Sequence, residues 1–380
     1  MKYFVDISPK TAQHISELIS QGRYQSFGQF ISAAIENQIY IEKIDLYDHP
    51  DLEGDLIAKE TLKHDNIPNS QPDLEISGLP AGQNNSATLP MPRFEDLACY
   101  IKKTEFLKEE NVWIWGQVNR IFPIKLGLRV LLTMLGNIQL IELEEFRIRA
   151  EEIALRYGKM IRSYERSQGK LRDERVSAGL PIDNKSLLSE LILKMQRSNK
   201  ISEVDSYLKQ KEFKSKHRYR VHFLAHARKD GKLDGAMSFL RFINLQNRNG
   251  RTFIGLTQAG LDFGRLDNPI IDSSDFRKSL SEKEIDFYLG HVSRHVKGEY
   301  LAIKWLLNKL SEGARKREDL NAKLKMDLGQ IWGVSDPVIN TQRSGLMARM
   351  FELGLIDKDK RGIDVIYKLT DRGRNILRDI

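Results

Sequence analysis

A few groups of residues in the chain have the types and order that chemistry requires. Pro181-Ile182-Asp183 followed by Glu212-Phe213-Lys214 gives an acid and then acid-x-lysine, the order in which carboxylates hold a divalent cation beside a scissile phosphate. Leu289-Gly290-His291 with Tyr300 nine residues on places a histidine near a candidate nucleophilic tyrosine, but no His-x-x-Arg precedes it. His217, His222 and His226, or His291 and His295 one turn apart, could begin a metal site, yet no third ligand is evident. There is neither a Walker loop nor a Gly-x-Gly-x-x-Gly. These are short, common patterns, so the expectation is a protein without catalytic residues, metal or cofactor. A metal-dependent nuclease or recombinase is kept as the alternative of a different class.

Charge offers a better-defined chemistry, the neutralisation of phosphates. The 380 residues carry 60 Lys and Arg against 52 Asp and Glu, a net +8, and this charge is unevenly distributed. Residues 1–44 sum to zero. Residues 45–96 hold eleven acids against Lys59, Lys63 and Arg93, which leaves +16 on residues 97–380. The densest part, 156–232, has twenty bases against nine acids. Within it Lys214, Lys216, Arg218 and Arg220 alternate with Ser215, His217, Tyr219 and Val221. As a strand this stretch presents one cationic face, and as a helix it surrounds the axis with charge. Either arrangement tracks phosphates and makes affinity salt-sensitive.

Four segments must position these groups. The acidic stretch 45–96 also holds six of the eleven prolines and the polar run Gln83-Asn84-Asn85-Ser86, which reads as a flexible linker. Before it, Lys2 to Ser8 is a short β-prone run stopped by Pro9. Ala12, Ile15, Leu18 and Ile19 then recur at helical spacing up to Gly22, and a second helix opens at Ser26. A lone strand and two helices have too little core to stand alone, and pairing two copies through the strand solves this. The single cysteine, Cys99, excludes a disulfide scaffold or a cysteine-rich zinc site. With no export signal or long apolar run, a cytoplasmic, nucleoid-associated protein with no membrane contact is expected.

The strand ending in Ile7-Ser8-Pro9, with Gly22-Arg23-Tyr24-Gln25-Ser26-Phe27-Gly28-Gln29-Phe30-Ile31, resembles the ribbon-helix-helix family of repressors. The resemblance covers residues 1–44 and implies a homodimer whose paired strands enter the major groove. It would put Lys2, Phe4 and Asp6 on the groove face and Ser26 beside a backbone phosphate. Asp6 among phosphates is unusual, and the module's zero net charge leaves open a role in dimerisation alone.

The C-terminal residues repeat this logic with other elements. A capping box at Ser281-Glu282-Lys283-Glu284 opens a long helix that Gly313 closes, and a basic helix spans 315–328. A turn at Gly333-Val334-Ser335, a helix over 336–353, a polar hairpin tip at 357–362, a returning strand and a last helix from Thr370 follow. This order, with Leu346 to Ile356 and Tyr367-Lys368-Leu369-Thr370-Asp371-Arg372-Gly373, resembles a winged helix-turn-helix domain over 273–380. The resemblance implies that Asn340, Thr341, Gln342 and Arg343 reach bases or phosphates and that Lys358, Lys360 and Arg361 at the tip lie against the backbone. Thr252-Phe253-Ile254-Gly255-Leu256-Thr257-Gln258-Ala259-Gly260 has the same strand-then-helix form. A second winged helix is therefore expected within 97–272, with first helices at 124–135 and 142–157, a feeding helix at 236–245, and Arg248 and Arg251 at its wing tip.

The expectation is thus a mainly α fold with small β elements: a ribbon-helix-helix module, a linker, and one or two winged helices. Its partners would be double-stranded DNA and a second copy of the chain, with higher oligomers possible on DNA. The function would be that of a prokaryotic transcriptional regulator. A plasmid partition or replication-initiator protein would use the same architecture, and a protein-interaction adaptor is the third class.

Overall fold

The computed structural model describes residues 9–20, 26–27, 89, 113–136, 138–170, 174–183, 204–228, 233–248, 250–361 and 364–378. The chain divides into two compact units, Met1–Gln83 and Asn84–Ile380. In the first, helix α1 (Pro9–Ser20) begins at the proline, whose fixed φ and missing N–H suit a first helical turn. The expected strand with Lys2, Phe4 and Asp6, and most of the second helix, lie outside the described residues, while Ser26 is exposed. Of the acidic linker only Leu89 is described. It packs half-buried against the core of the second unit, so the packed body reaches back into the segment assigned to the linker.

The second unit is mainly helical with small antiparallel sheets. Helix α2 (Phe122–Leu135) is apolar on nearly every face and buried on nearly every face, as such a helix must be. Around it lie β1 (Ile141–Glu142), α3 (Leu143–Ser167) and α4 (Val204–Arg218), the last running into a wider π-helical turn at Tyr219–Leu224. A small ladder follows, β2 (His226–Ala227) and β3 (Leu233–Asp234), then the short α5 (Ala236–Phe239). Strands β4 (Ile243–Arg248) and β5 (Arg251–Leu256) form a hairpin joined by β1 in the order β1-β5-β4, and α6 (Gln258–Arg265) and the short α7 (Pro269–Ser273) come next.

The expected helix over 236–245 therefore ends at Phe239. Arg241 turns the chain with φ 59°, and Ile243 and Leu245 then face Leu256 and Ile254 across the hairpin. Period-two pairing of apolar and β-branched residues prevails here over helical spacing.

The second half contains α8 (Glu282–His295), α9 (Lys297–Ser311), α10 (Arg317–Leu324) with a π-helical turn at Lys325–Gly329, α11 (Gln330–Trp332), α12 (Asp336–Glu352), β6 (Ile356–Arg361), β7 (Asp364–Leu369) and α13 (Asp371–Arg378). The single long helix read from 281 onward is two helices. They break at buried Val296, whose φ of −126° and ψ of 73° leave the helical region. The hairpin tip also shifts, because residues 357–361 belong to β6 and pair in register as far as Arg361 opposite Asp364.

The weak sequence repeat is a structural one. Thr257 and Thr370 stand 113 residues apart, as do β4 and β6, β5 and β7, and α6 and α13. Thr257 Oγ1 accepts from Gly260 N–H at 3.1 Å and donates to Arg241 O at 2.7 Å, while Thr370 Oγ1 accepts from Gly373 N–H at 3.1 Å and donates to Gly354 O at 2.6 Å. The glycine is demanded by close approach in both copies. A Cβ on Gly260 would lie 1.9 Å from Phe242 O, and one on Gly373 would lie 2.2 Å from Leu355 O.

Two buried ionic clusters hold the unit together. Lys125 Nζ lies 3.1 Å from Glu284 with both side chains fully buried, and it donates to Phe263 O and Leu266 O at 2.5 and 2.6 Å. Burial lowers its pKa to about 8. Arg129 donates to Gly264 O, Leu266 O and both Asp272 oxygens. In the other cluster Arg349 grips Glu299 through two nitrogens at 2.9 and 3.0 Å and donates to Val118 O at 2.6 Å. No described helix is long and apolar enough to cross a membrane. Glu284→Gln is expected to lower unfolding free energy in urea by roughly 3–5 kcal/mol, since it removes the carboxylate that chiefly offsets the burial of Lys125. An unchanged urea midpoint would remove this pair from the account.

Candidate nucleic-acid interface

Helix α12 carries four of the residues expected to reach DNA, and the fold separates them into two groups. It starts after Ser335, with Pro337 in its first turn. Pro337 and Ser344 are exposed and Asn340 and Thr341 are partly so, forming an outward stripe at helical spacing. Gln342 and Arg343 point inward. Gln342 Nε2 donates to Ile114 O at 2.9 Å and its Oε1 accepts from Gly116 N–H. Arg343 Nε donates to Asn321 Oδ1 at 2.7 Å. The reason is close backbone approach, since a Cβ on Gly345 would lie 1.9 Å from Gly116 O, so segment 113–121 runs over this side of the helix. Gln342 and Arg343 thus serve packing rather than an outer surface. Ser344 is exposed on the same outward face four residues from Asn340, a spacing legible in the sequence.

The wing residues are also redistributed. Lys358 pairs with Glu174 at 3.1 Å and lies over the Phe351 ring, so it is held against the body rather than at a free tip. Lys360 and Arg361 end β6 beside the turn. Arg315, Lys316 and Arg317 form an exposed basic run leading into α10, a feature the sequence displayed as a charge run and the expected site omitted. Tyr367 N–H donates to Arg315 O at 2.9 Å, which puts that run on the edge of the β6-β7 hairpin.

In the first copy the basic stretch is helical, and much of its charge is neutralised internally. Arg220 and Lys216 both pair with Glu151, Lys216 also pairs with Glu212 at 2.6 Å, and Arg218 donates to Ala178 O. The single cationic face a strand would have given is therefore not formed. Lys214 is partly buried, and Lys209 and Arg228 are exposed. At the hairpin end, Gly250 turns with φ 75° and Arg251 stands opposite Arg248. Arg251 is largely exposed and lies 3.4 Å from Glu142.

The histidines register the local positive field. Burial first, then Arg147, His226 and Arg220, pull His217 below its ordinary value. Burial first, then Arg218, His217 and His226, pull His222 down to about 4, with Asp234 opposing.

The constellations that suggested catalysis are accounted for differently. Ile182 N–H donates to Ser215 Oγ at 3.1 Å, so the loop carrying Asp183 does lie along α4. His291 is buried, with Nε2 2.8 Å from Leu240 O and its ring stacked on Phe242, a packing position rather than a reactive one. Among the described residues no three His, Cys, Asp or Glu side chains converge as metal ligands. Comparison with known protein families, curated proteins and solved structures finds no match.

The His222 shift has a testable sign. The folded state holds the imidazole neutral, while the unfolded chain titrates near 6.5. Stability is therefore complete above about pH 6.5 and drains as pH falls toward 4, by about 3 kcal/mol for this group. Melting temperature measured across that range should fall less steeply in His222→Gln, and an identical slope would show that other groups set the acid limit.

Proposed function

We propose that the chain is a homodimeric, sequence-specific double-stranded DNA-binding protein that regulates transcription. The observation that carries this reading is the repeated unit of helix, hairpin and helix, 113 residues apart, with an antiparallel sheet in the order β1-β5-β4 in the first copy. The order α2, β1, α3, then a helix, β4 and β5 supports a winged helix in the first half. In the second half α9, the Arg315 edge, α10, α12, β6 and β7 support the same assignment. Asn340, Thr341 and Ser344 on the outward face of α12 are polar and uncharged, suited to base edges, with the exposed Asp336 one turn before them, and the exposed Arg315-Lys316-Arg317 run at the edge of the β6-β7 hairpin is suited to phosphates. Dimerisation is assigned to residues 1–44 on their resemblance to ribbon-helix-helix repressors, and two such chains would bring four winged helices to one DNA region. Tandem copies in one chain also suit a replication initiator or partition protein that binds repeated sites.

Selection of full-length protein on random duplexes tests the proposal. An enriched motif is expected, together with affinity that falls steeply with salt. Asn340→Ala with Ser344→Ala should relax base preference by about 1–3 kcal/mol at the contacted positions. Arg315→Gln with Lys316→Gln should weaken all duplexes alike and flatten the salt slope by about 2. Binding with no preferred sequence and no salt slope would defeat the proposal. Cleavage of supercoiled DNA in Mg²⁺, lost on Asp183→Ala and Glu212→Ala, would replace it with the nuclease alternative.

A further inference from the structure

The outer face of α4 combines two features that duplex recognition does not explain. Phe213 is 68% exposed, the most exposed of the large apolar side chains among the described residues. Its ring stacks on that of His217 one helical turn on, with centroids 5.9 Å apart and planes within 14°. Lys209, one turn before Phe213, is exposed, whereas Lys216 and Arg220 pair with Glu151, Arg218 donates to Ala178 O and Lys214 is partly buried, so Lys209 is the cation that stands outward beside the ring. Lys209, Phe213 and His217 therefore share one outward stripe at four-residue spacing.

A stacked pair of exposed rings beside an exposed lysine gains from a partner that covers the apolar ring faces and carries negative charge. The faces of paired bases are already covered by their neighbours in a duplex. Unpaired bases offer free π-faces, attached to phosphates that lysines attract. A stacked ring pair with an exposed lysine one turn away matches that chemistry, and it matches an acidic protein surface less well because such a surface lacks flat apolar groups.

We propose that this stripe is a binding site for single-stranded nucleic acid, with Phe213 and His217 stacking on unpaired bases and Lys209 holding an adjacent phosphate. The site is independent of the duplex reading, since it uses neither α12 nor the hairpins. A protein carrying both would bind where duplex and unpaired strand meet.

The test is fluorescence anisotropy of the full-length chain with labelled oligo-dT and oligo-U of about twenty nucleotides, long enough for a typical site, and with a hairpin duplex of mixed sequence. Phe213→Ala is expected to weaken binding to the single strands by roughly 5- to 150-fold, to leave their salt slope unchanged and to leave duplex binding unchanged. Phe213→Trp should restore or tighten single-strand binding, and Lys209→Gln should reduce the salt slope. Binding of oligo-dT, oligo-U or both supports the site and shows which sugar it accepts. Absence of binding to both oligomers, wild-type affinity in Phe213→Ala, or equal losses on single strand and duplex would overturn it. Failure of duplex binding alone, with single-strand binding intact, defeats the regulator reading and leaves this one standing. Because Phe213 is exposed, the urea midpoint of Phe213→Ala should equal that of wild type, which separates loss of binding from loss of fold.

Discussion

The arrangement of the body depends on how the C-terminal end of α6 is satisfied. That helix ends at Arg265, and no glycine turns the chain there, so its last carbonyls are left pointing into the protein. Lys125 and Arg129, one turn apart on an otherwise apolar helix, bring their charges to Phe263, Gly264 and Leu266. Cations belong at that end of a helix dipole, but two of them in the core require carboxylates, and Glu284 and Asp272 supply these. Asn268 completes the cluster by donating to both Glu284 oxygens and accepting from Ile270 and Ile271 N–H. Because Glu284 is also the closing residue of the α8 capping box, the start of the second half is placed by the same side chain that neutralises the first. Arg349, Glu299 and Val118 O repeat the device between α12, α9 and the segment entering α2. Glu352 continues it by accepting from Phe122 N–H at 3.2 Å and capping α2, and burial raises its pKa there.

The two repeated units share their physical logic but not all their residues. Each needs a left-handed residue where the chain leaves the helix and enters the first strand of the hairpin. The second copy uses Gly354 with φ 66°, and the first uses Arg241 with φ 59°. A side chain in that region costs on the order of 1 kcal/mol. The first copy also interrupts its helix before the hairpin, since a π-helical turn and the β2-β3 ladder stand where α12 runs continuously in the second. Conserving the hairpin and its threonine cap while breaking the helix changes which side chains face outward, and leaves the scaffold unchanged.

What could be read in advance was local. Pro9, the Ser281 capping box, the Thr-x-x-Gly turns and the apolar run of α2 each encode their own element through a hydrogen bond, a fixed φ or complete burial. What could not be read depended on partners distant in sequence. Gln342 and Arg343 look like an outward polar pair until Gly116 and Gly345 bring segment 113–121 onto that side of α12. Lys358 looks like a wing-tip cation until Glu174 is brought beside it. The break at Val296 comes three residues before Glu299, which is buried against Arg349, and nothing within residues 281–310 signals that contact.

Charge shows the same dependence on tertiary context. The surplus of +16 on residues 97–380 counts every cation alike, yet Lys125, Arg129, Arg349, Arg220 and Lys358 all face carboxylates. Among the cations that remain exposed in the described residues, two groups have distinctive neighbours. At the edge of the β6-β7 hairpin a basic run is exposed, and on the outward face of α12 stand Asn340, Thr341 and Ser344, groups whose chemistry is that of phosphate attraction in the first case and hydrogen bonding in the second. Along α4 lysine borders a stacked aromatic pair, a surface that discriminates by whether bases are paired. Net charge alone treats these as one property. Their different neighbours make them different binding chemistries, carried at separate places on a body whose ionic clusters hold its two halves together.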